Sequence, residues 1–239
     1  MLGSTLEALT DLIYPAHCLM CETHLPNRST VHLCEICREE ISTFDGNVCL
    51  KCGHPCGPHV PSEKRCPNCY NRRLHFARAV SVGRYSGTLK DLIWGLKFRR
   101  DPVYAVPLSR LMSDTVRRHG LERDADIVVP VPLHRKRRAE RGFNQAEALA
   151  QELARELGLR LSLENLRRIR PTPSQTRFNR QQREQNVKGA FAAARPGEYA
   201  ERRLILVDDI MTTGATTSEC AKTLYAAGAR SVAVVTAAR

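Results

Sequence analysis

The run LILVDDIMTTGATT at 204–217 constrains the fold more tightly than any other part of the chain. Leu204, Ile205, Leu206 and Val207 form an apolar run of the length expected for one strand buried on both faces. Two carboxylates, Asp208 and Asp209, follow where that strand would end. Thr212, Thr213, Gly214, Ala215, Thr216 and Thr217 are all small or hydroxylated, and a helical pattern starts beyond them. Thr216 and Glu219 have the spacing of a capping box, and Gly228 stands where a helix C-terminal cap belongs. Strand, acidic pair, phosphate-sized loop and helix in this order predict an open α/β sheet with a site beyond the strand's carboxyl end.

Each part suits one piece of a sugar phosphate. Backbone N–H groups of a Gly/Thr loop at a helix N-terminus attract a phosphate, and threonine hydroxyls add donors. Adjacent carboxylates can accept from two neighbouring ribose hydroxyls and help hold a hydrated Mg²⁺ on the sugar. The run 204–216 resembles the phosphoribosyl-pyrophosphate (PRPP) motif of type I phosphoribosyltransferases. The competing reading is a buried strand with two solvated aspartates and a capped helix. A two-aspartate Mg²⁺ pocket of receiver type would not require the threonine-rich loop.

Eight of the ten cysteines stand in C-x-x-C pairs: Cys18/Cys21, Cys34/Cys37, Cys49/Cys52 and Cys66/Cys69. A C-x-x-C turn brings two thiolates onto one tetrahedral metal, and two such turns complete a four-cysteine site. The spacers are 12 residues (22–33) and 13 residues (53–65), so the halves read as repeats. Cys18, Cys21, Cys34 and Cys37 are assigned to one zinc ion, and Cys49, Cys52, Cys66 and Cys69 to a second. Gly53 supports a knuckle turn after Cys52. Cys56, His17, His24, His32, His54 and His59 are surplus. A site closed by four cysteines leaves no open position, so zinc here is structural; an iron–sulfur cluster is the alternative. Residues 1–14 lack a basic region and contain Glu7 and Asp11, which argues against a signal peptide; Leu2, Leu6, Leu9 and Ile13 have the spacing of a short amphipathic helix.

The formal charge of +12 is unevenly spread: residues 1–70 carry five Lys/Arg against eight Asp/Glu, and residues 71–239 carry 32 against 17. The α/β part therefore holds the basic field, which favours phosphorylated ligands or nucleic acid. No apolar stretch reaches 18 residues, so no membrane span is expected. Segments 79–85, 127–132 and 232–236 read as strands, and 88–98 and 103–119 as helices. Lys97, Arg99 and Arg100 crowd the end of the first helix, either as solvated charge or as a phosphate or partner contact. Trp94 reads as core or helix packing. A basic loop at 134–143 precedes a helix capped by Asn144, with Glu147 at N3 and Gly158 at its end. The arginine-rich segment 167–188 lacks apolar periodicity and reads as a mobile lid or binding loop. Neither a P-loop nor a dinucleotide fingerprint is present.

Taken together, the four cysteine pairs, Tyr85-Ser-Gly with Leu96-Lys-Phe, Val129-Pro-Val-Pro, Arg141-Gly-Phe-Asn-Gln, the stretch from Gln175 to Phe191, and the run at 207–216 resemble the ComF family. The resemblance implies a double zinc ribbon with an N-terminal helix at 1–70, and at 71–239 a type I phosphoribosyltransferase fold, a parallel sheet flanked by helices. It implies a cytoplasmic protein tied to single-stranded DNA uptake in natural transformation, with PRPP and Mg²⁺ as ligands. Asp208 and Asp209 would be the catalytic carboxylates on the ribose hydroxyls, and Thr212, Thr213, Gly214, Ala215 and Thr216 would hold the 5′-phosphate, with Thr217 beside them. Val131, Pro132 and Arg135, with Arg141 and Arg183, would face pyrophosphate. Two functions stay open: phosphoribosyl transfer to an acceptor, or a non-catalytic PRPP sensor or single-stranded-DNA adaptor whose ribbons dock a helicase or transport partner.

Overall fold

The computed structural model describes residues 16–25, 32–44, 46–57, 66–99, 101–173 and 178–239, and for Arg141 the backbone alone. The N-terminal helix expected at 1–14, His59 and residues 174–177 lie outside them. The apolar run at 204–207 is the middle of a five-stranded, all-parallel sheet. Its strands are β1 (Arg78–Gly83), β2 (Ile127–Pro130), β3 (Arg160–Leu161), β6 (Arg203–Ile210) and β7 (Ser231–Ala238), in the order β1-β7-β6-β2-β3. Leu206 lies opposite Val129 on one side and Val234 on the other. Leu204 to Val207 are fully buried, as a strand covered on both faces requires.

Helices cover both faces. Helix α3 (Ala105–Arg118) packs on β1, β7 and α5 (Gln145–Leu157), and α5 in turn covers β2 and β6. Ala146, Leu149, Ala150, Leu153 and Ala154 are its buried stripe. The Asn144 side chain caps the N-terminus by accepting from Ala146 N at 3.1 Å, and Gly158 ends the helix in the left-handed conformation. Glu147 does not complete a capping box; it pairs with Arg138 at 2.9 Å. On the other side of the sheet, α7 (Ala215–Ala226) packs on β6, β7, β5 (Phe191–Ala193) and α6 (Arg180–Val187).

Several expectations are corrected. The strand at 127–132 ends at Pro130. The basic loop is a short helix, α4 (Arg135–Arg141), because the His134 side chain accepts from Lys136 N and Gly142 supplies a positive φ at its end. The described parts of 167–188 hold regular structure: β4 (Leu166–Arg168) pairs antiparallel with β5, and Asn179 and Gln182 form a capping box that starts α6. Its polar periodicity hid a helix that buries only Val187. The capping box expected from Thr216 is absent; Gly214 (φ +75°) starts α7, and Glu219 instead accepts from Gly189 N at 2.8 Å. Helix α2 (Gly87–Trp94), which follows the short α1 (Glu35–Glu39) of the cysteine-rich segment, continues as a π-helical turn to Arg99. Trp94 is not core: it is 47 % exposed and packs against Phe98, 61 % exposed, at 5.3 Å between ring centroids. Among the described residues no helix is long and apolar enough to cross a membrane.

The cysteine-rich segment docks directly on the sheet. Phe44 N donates to Val82 O at 2.9 Å, and Lys51 Nζ donates to the Phe76 carbonyl. Arg239 donates to the Cys52 carbonyl from just beyond β7. Gly53 combines a φ of +69° with an approach to β1 so close that a Cβ would lie 2.7 Å from Ala79 O. Only glycine meets both conditions without moving backbone. Gly53→Ala is therefore expected to cost about 2–4 kcal/mol of stability, read as a drop in the denaturant midpoint at unchanged zinc content.

Candidate functional site

The eight paired thiols gather into two sets of four, Cys18/Cys21/Cys34/Cys37 and Cys49/Cys52/Cys66/Cys69, each with all sulfurs within 4.8 Å of one another. Individual Sγ–Sγ separations are 3.6 Å (Cys21–Cys34), 3.7 Å (Cys49–Cys69), 3.5 Å (Cys52–Cys66) and 3.8 Å (Cys66–Cys69). A tetrahedron with Zn–S bonds of about 2.3 Å has edges of about 3.8 Å; a disulfide would need about 2.05 Å. The donor sets fit tetrahedral zinc. Burial first, with neighbouring sulfurs adding to it, pushes the Cys37 and Cys52 thiols up, a cost that a bound dication reverses. Neither set includes a histidine, and Cys56 lies beside the second set without belonging to it, its thiol donating to His54 O at 3.4 Å. The sets differ in exposure: all four second-set cysteines are buried, whereas Cys21 is exposed and Cys34 partly so.

The second centre lies where β6 ends. Asp208 Oδ1 accepts from Asp209 N at 2.9 Å, and Asp209 Oδ1 from Ile210 N at 2.6 Å. Lys97 Nζ reaches Asp209 Oδ2 at 2.7 Å, with both side chains mostly buried. The two acids are thus unlike: Asp209 has a cation in contact, and Asp208 has none that close. Burial, then the charge of Asp209, pushes Asp208 up to about 8, with Lys97 and Arg168 opposing the shift.

Asp208, Thr212, Thr213, Gly214, Ala215, Thr216 and Thr217 line one cavity of about 60 Å³. At roughly 30 Å³ for a liquid water, that is room for a single small anion. The positive φ of Gly214 turns the chain here, so the loop leads straight into the N-terminus of α7. The Thr217 hydroxyl is buried and donates to Gly214 O at 3.1 Å, which leaves it committed to the loop itself. Arg183 Nη1 donates to Thr212 Oγ1 at 2.7 Å, which brings α6 to the loop.

Val131 is held beside the same strand end, its N–H on Val207 O at 2.8 Å and its carbonyl on Asn144 Nδ2 at 3.1 Å. Pro132 is buried next to it, whereas Arg135 begins α4 and is exposed. Arg141 falls where only the backbone is described. Sequence reasoning left Lys97 between two readings and took Arg168 as one loop arginine among several. The structure gives both a place. Arg168 is held over the Phe191 ring at 5.4 Å, donates to Thr172 Oγ1, and acts electrostatically on Asp208. Its Nε is buried without a partner. Periodicity could not find it, because β4 is only three residues long.

Two outcomes follow from this geometry. A zinc-chelating indicator is expected to withdraw two equivalents in two phases, the exposed Cys21 set first, and Cys21→Ser removes the fast phase alone. For Asp208, the raised pKa means the acid is held protonated in the fold after the unfolded chain has ionised. Its contribution to stability is therefore complete below about pH 4 and lost as pH rises towards 8. Asp208→Asn is expected to raise Tm by on the order of 5 °C at pH 8 and to leave it nearly unchanged at pH 4, measured by thermal unfolding.

The double zinc ribbon domain family matches residues 9–70, and the phosphoribosyl transferase domain family matches residues 141–239. DNA utilization protein YhgH of Escherichia coli O6:H1 is 35% identical over 230 residues, covering 93% of this chain and 96% of that protein. Competence protein F of Haemophilus influenzae is 33% identical over 208 residues, covering 84% and 88%. Near end-to-end similarity at this identity, on a parallel sheet preceded by two four-cysteine sets, means that the chain belongs to the ComF family of double zinc ribbon and phosphoribosyltransferase-type proteins.

Proposed function

We propose that the carboxyl end of β6 binds PRPP with Mg²⁺, in a phosphoribosyltransferase-like domain at 71–239 that serves DNA uptake or utilisation, with residues 1–70 as its zinc-held module. The observation that carries this is the cavity shared by Asp208 and residues 212–217, at the head of α7 with Asp209 beside it. Backbone N–H groups at 212–216 and the threonine hydroxyls donate to the 5′-phosphate. Asp208 and Asp209 accept from the two ribose hydroxyls, and Lys97 holds the Asp209 carboxylate in place. In a transfer reaction the C1′–oxygen bond breaks, its electron pair leaves with pyrophosphate, and an acceptor attacks the opposite face. The two carboxylates then stabilise the sugar cation, while Arg183 and the Val131–Pro132–Arg135 stretch, with Arg141, lie on the pyrophosphate side. Mg²⁺ would be held through the sugar at Asp208 and Asp209 and would neutralise leaving-group charge.

The link to DNA rests on the relatives' names, competence and DNA utilization, and on the basic α/β half. Cytoplasmic residence is proposed because PRPP and eight metal-ready thiols both belong to that compartment. The exposed Trp94–Phe98 pair beside Lys97 favours a second reading, a single-stranded-DNA adaptor in which bases stack on this pair and the ribbons dock a helicase or transport protein. Binding to a single strand whose affinity did not fall between low and moderate salt would remove that reading.

Titration calorimetry of PRPP with Mg²⁺ tests the first. Wild type is expected to show saturable one-site binding, and Asp208→Asn/Asp209→Asn to bind at least about 100-fold more weakly, as the loss of both carboxyl groups implies. Heats without saturation in the wild type would sink the proposal.

A further inference from the structure

A second, larger cavity lies on the other side of the phosphate loop. Its volume is about 240 Å³, and Thr212 and Thr213 form a wall that it shares with the strand-end site. The opposite wall is the second zinc set's own chain: His54 follows Cys52, and Asn68 precedes Cys69. Four arginines complete it from well-separated parts of the sequence. Arg72 comes from the segment before β1, Arg84 from just after β1, Arg180 from the start of α6 and Arg239 from just after β7.

The charge is one-sided, because no carboxylate side chain lines this cavity. Arg72, whose side chain is only 8 % exposed, pairs with Glu184 at 3.1 Å behind the wall. Arg239 spends a donor on the Cys52 carbonyl. Arg84 and Arg180 form no ion pair among the described residues. Arg72 and Arg239 are partly buried and Arg84 and Arg180 exposed; like charges lining one cavity repel one another, and the partly buried ones also lose hydration, a cost that a bound anion offsets. Guanidinium forks also match phosphate oxygens in pairs.

We propose that this ribbon–sheet junction is a second anion site, for a diphosphate group, separate from the strand-end cavity. The volume falls below the roughly 300–1,000 Å³ of pockets that enclose a drug-sized ligand, so the diphosphate is held and any attached nucleoside stays outside. The chemistry has two sources, free pyrophosphate and a nucleoside diphosphate. A bound diphosphate would tie the second zinc ribbon, α6 and the β7 end to the Thr212–Thr213 wall, so occupancy reports to the loop at the neighbouring site. The inference does not rest on PRPP binding.

The test uses the full-length, zinc-loaded protein in phosphate-free buffer, with inorganic pyrophosphate and ADP as separate probes. In the Asp208→Asn/Asp209→Asn background one equivalent of pyrophosphate or ADP is expected to bind, and adding Arg84→Ala or Arg180→Ala weakens it at least about tenfold. Tighter ADP identifies the nucleotide as occupant, and tighter pyrophosphate the free diphosphate. A thermal readout separates this from a structural role: Arg84→Ala melts at or above wild type without ligand but loses the Tm rise that pyrophosphate produces. Binding abolished by the aspartate substitutions alone, binding unchanged by both arginine substitutions, or binding of a 5′-phosphorylated oligonucleotide with neither probe would each overturn the proposal. PRPP titration of Arg84→Ala, expected within about twofold of wild type, keeps failure here distinct from failure at the strand-end site.

Discussion

Two carboxylates side by side at the end of a fully buried strand form the constraint around which this molecule is arranged. Neighbouring acids in a partly dry setting cannot both be ionised cheaply. The surrounding elements each contribute to relieving that repulsion. The π-helical turn after α2 delivers Lys97 to Asp209, the β4–β5 ribbon holds Arg168 where its charge acts on Asp208, and the backbone N–H groups of Asp209 and Ile210 bind carboxylate oxygens. Two distant segments and the local backbone thus answer to one dipeptide. A ligand that brings hydroxyl donors or a cation to Asp208 takes over part of the same task, which is why the strand end suits a polyhydroxylated phosphate better than an apolar guest.

The strand, its acidic pair and the loop into α7 were legible because each rests on a local rule: four buried apolar residues, two acids, a left-handed glycine. The zinc sets were legible because C-x-x-C spacing alone fixes which sulfurs can meet. Lys97 and Arg168 were not, since only the fold brings residues 97, 168 and 208 together. The basic stretch after β2 was misread as a loop because Arg135–Arg141 holds a single apolar residue, Ala139, and so carries no apolar period; His134 as a cap decides that helix, not burial. Helix α6 was missed for the same reason, its capping box being the one signal available. Thr216 as a cap failed because Gly214 already starts the helix, and Glu219 found the Gly189 N–H instead.

The metal sets also differ in how they join the rest. The second is enclosed by the sheet-side core, with Cys49, Cys52, Cys66 and Cys69 among the same buried residues as Phe76, Leu206 and Val234. The first packs with Leu89, Leu108 and Val235 on the opposite face through Cys18 and Cys37, with Cys34 partly buried against them. Zinc at the second set therefore contributes to the α/β core itself, while zinc at the first mainly shapes a more exposed turn.

The pairing of β1 with β7 has a bearing on synthesis. Within the sheet β1 has no other neighbour, and Gly53, Phe44 and Arg239 all meet around that edge. A chain emerging from the ribosome completes both cysteine sets by residue 69, yet the edge they dock on stays unpaired until residues 231–238 arrive. The ribbons can load metal early, but they must wait through some 160 residues of translation for their seat, roughly 10–30 s at 5–20 residues per second. During that interval an exposed parallel edge and two reactive thiol clusters coexist. Early metal capture would then protect the nascent chain from oxidation as much as it stabilises the finished fold.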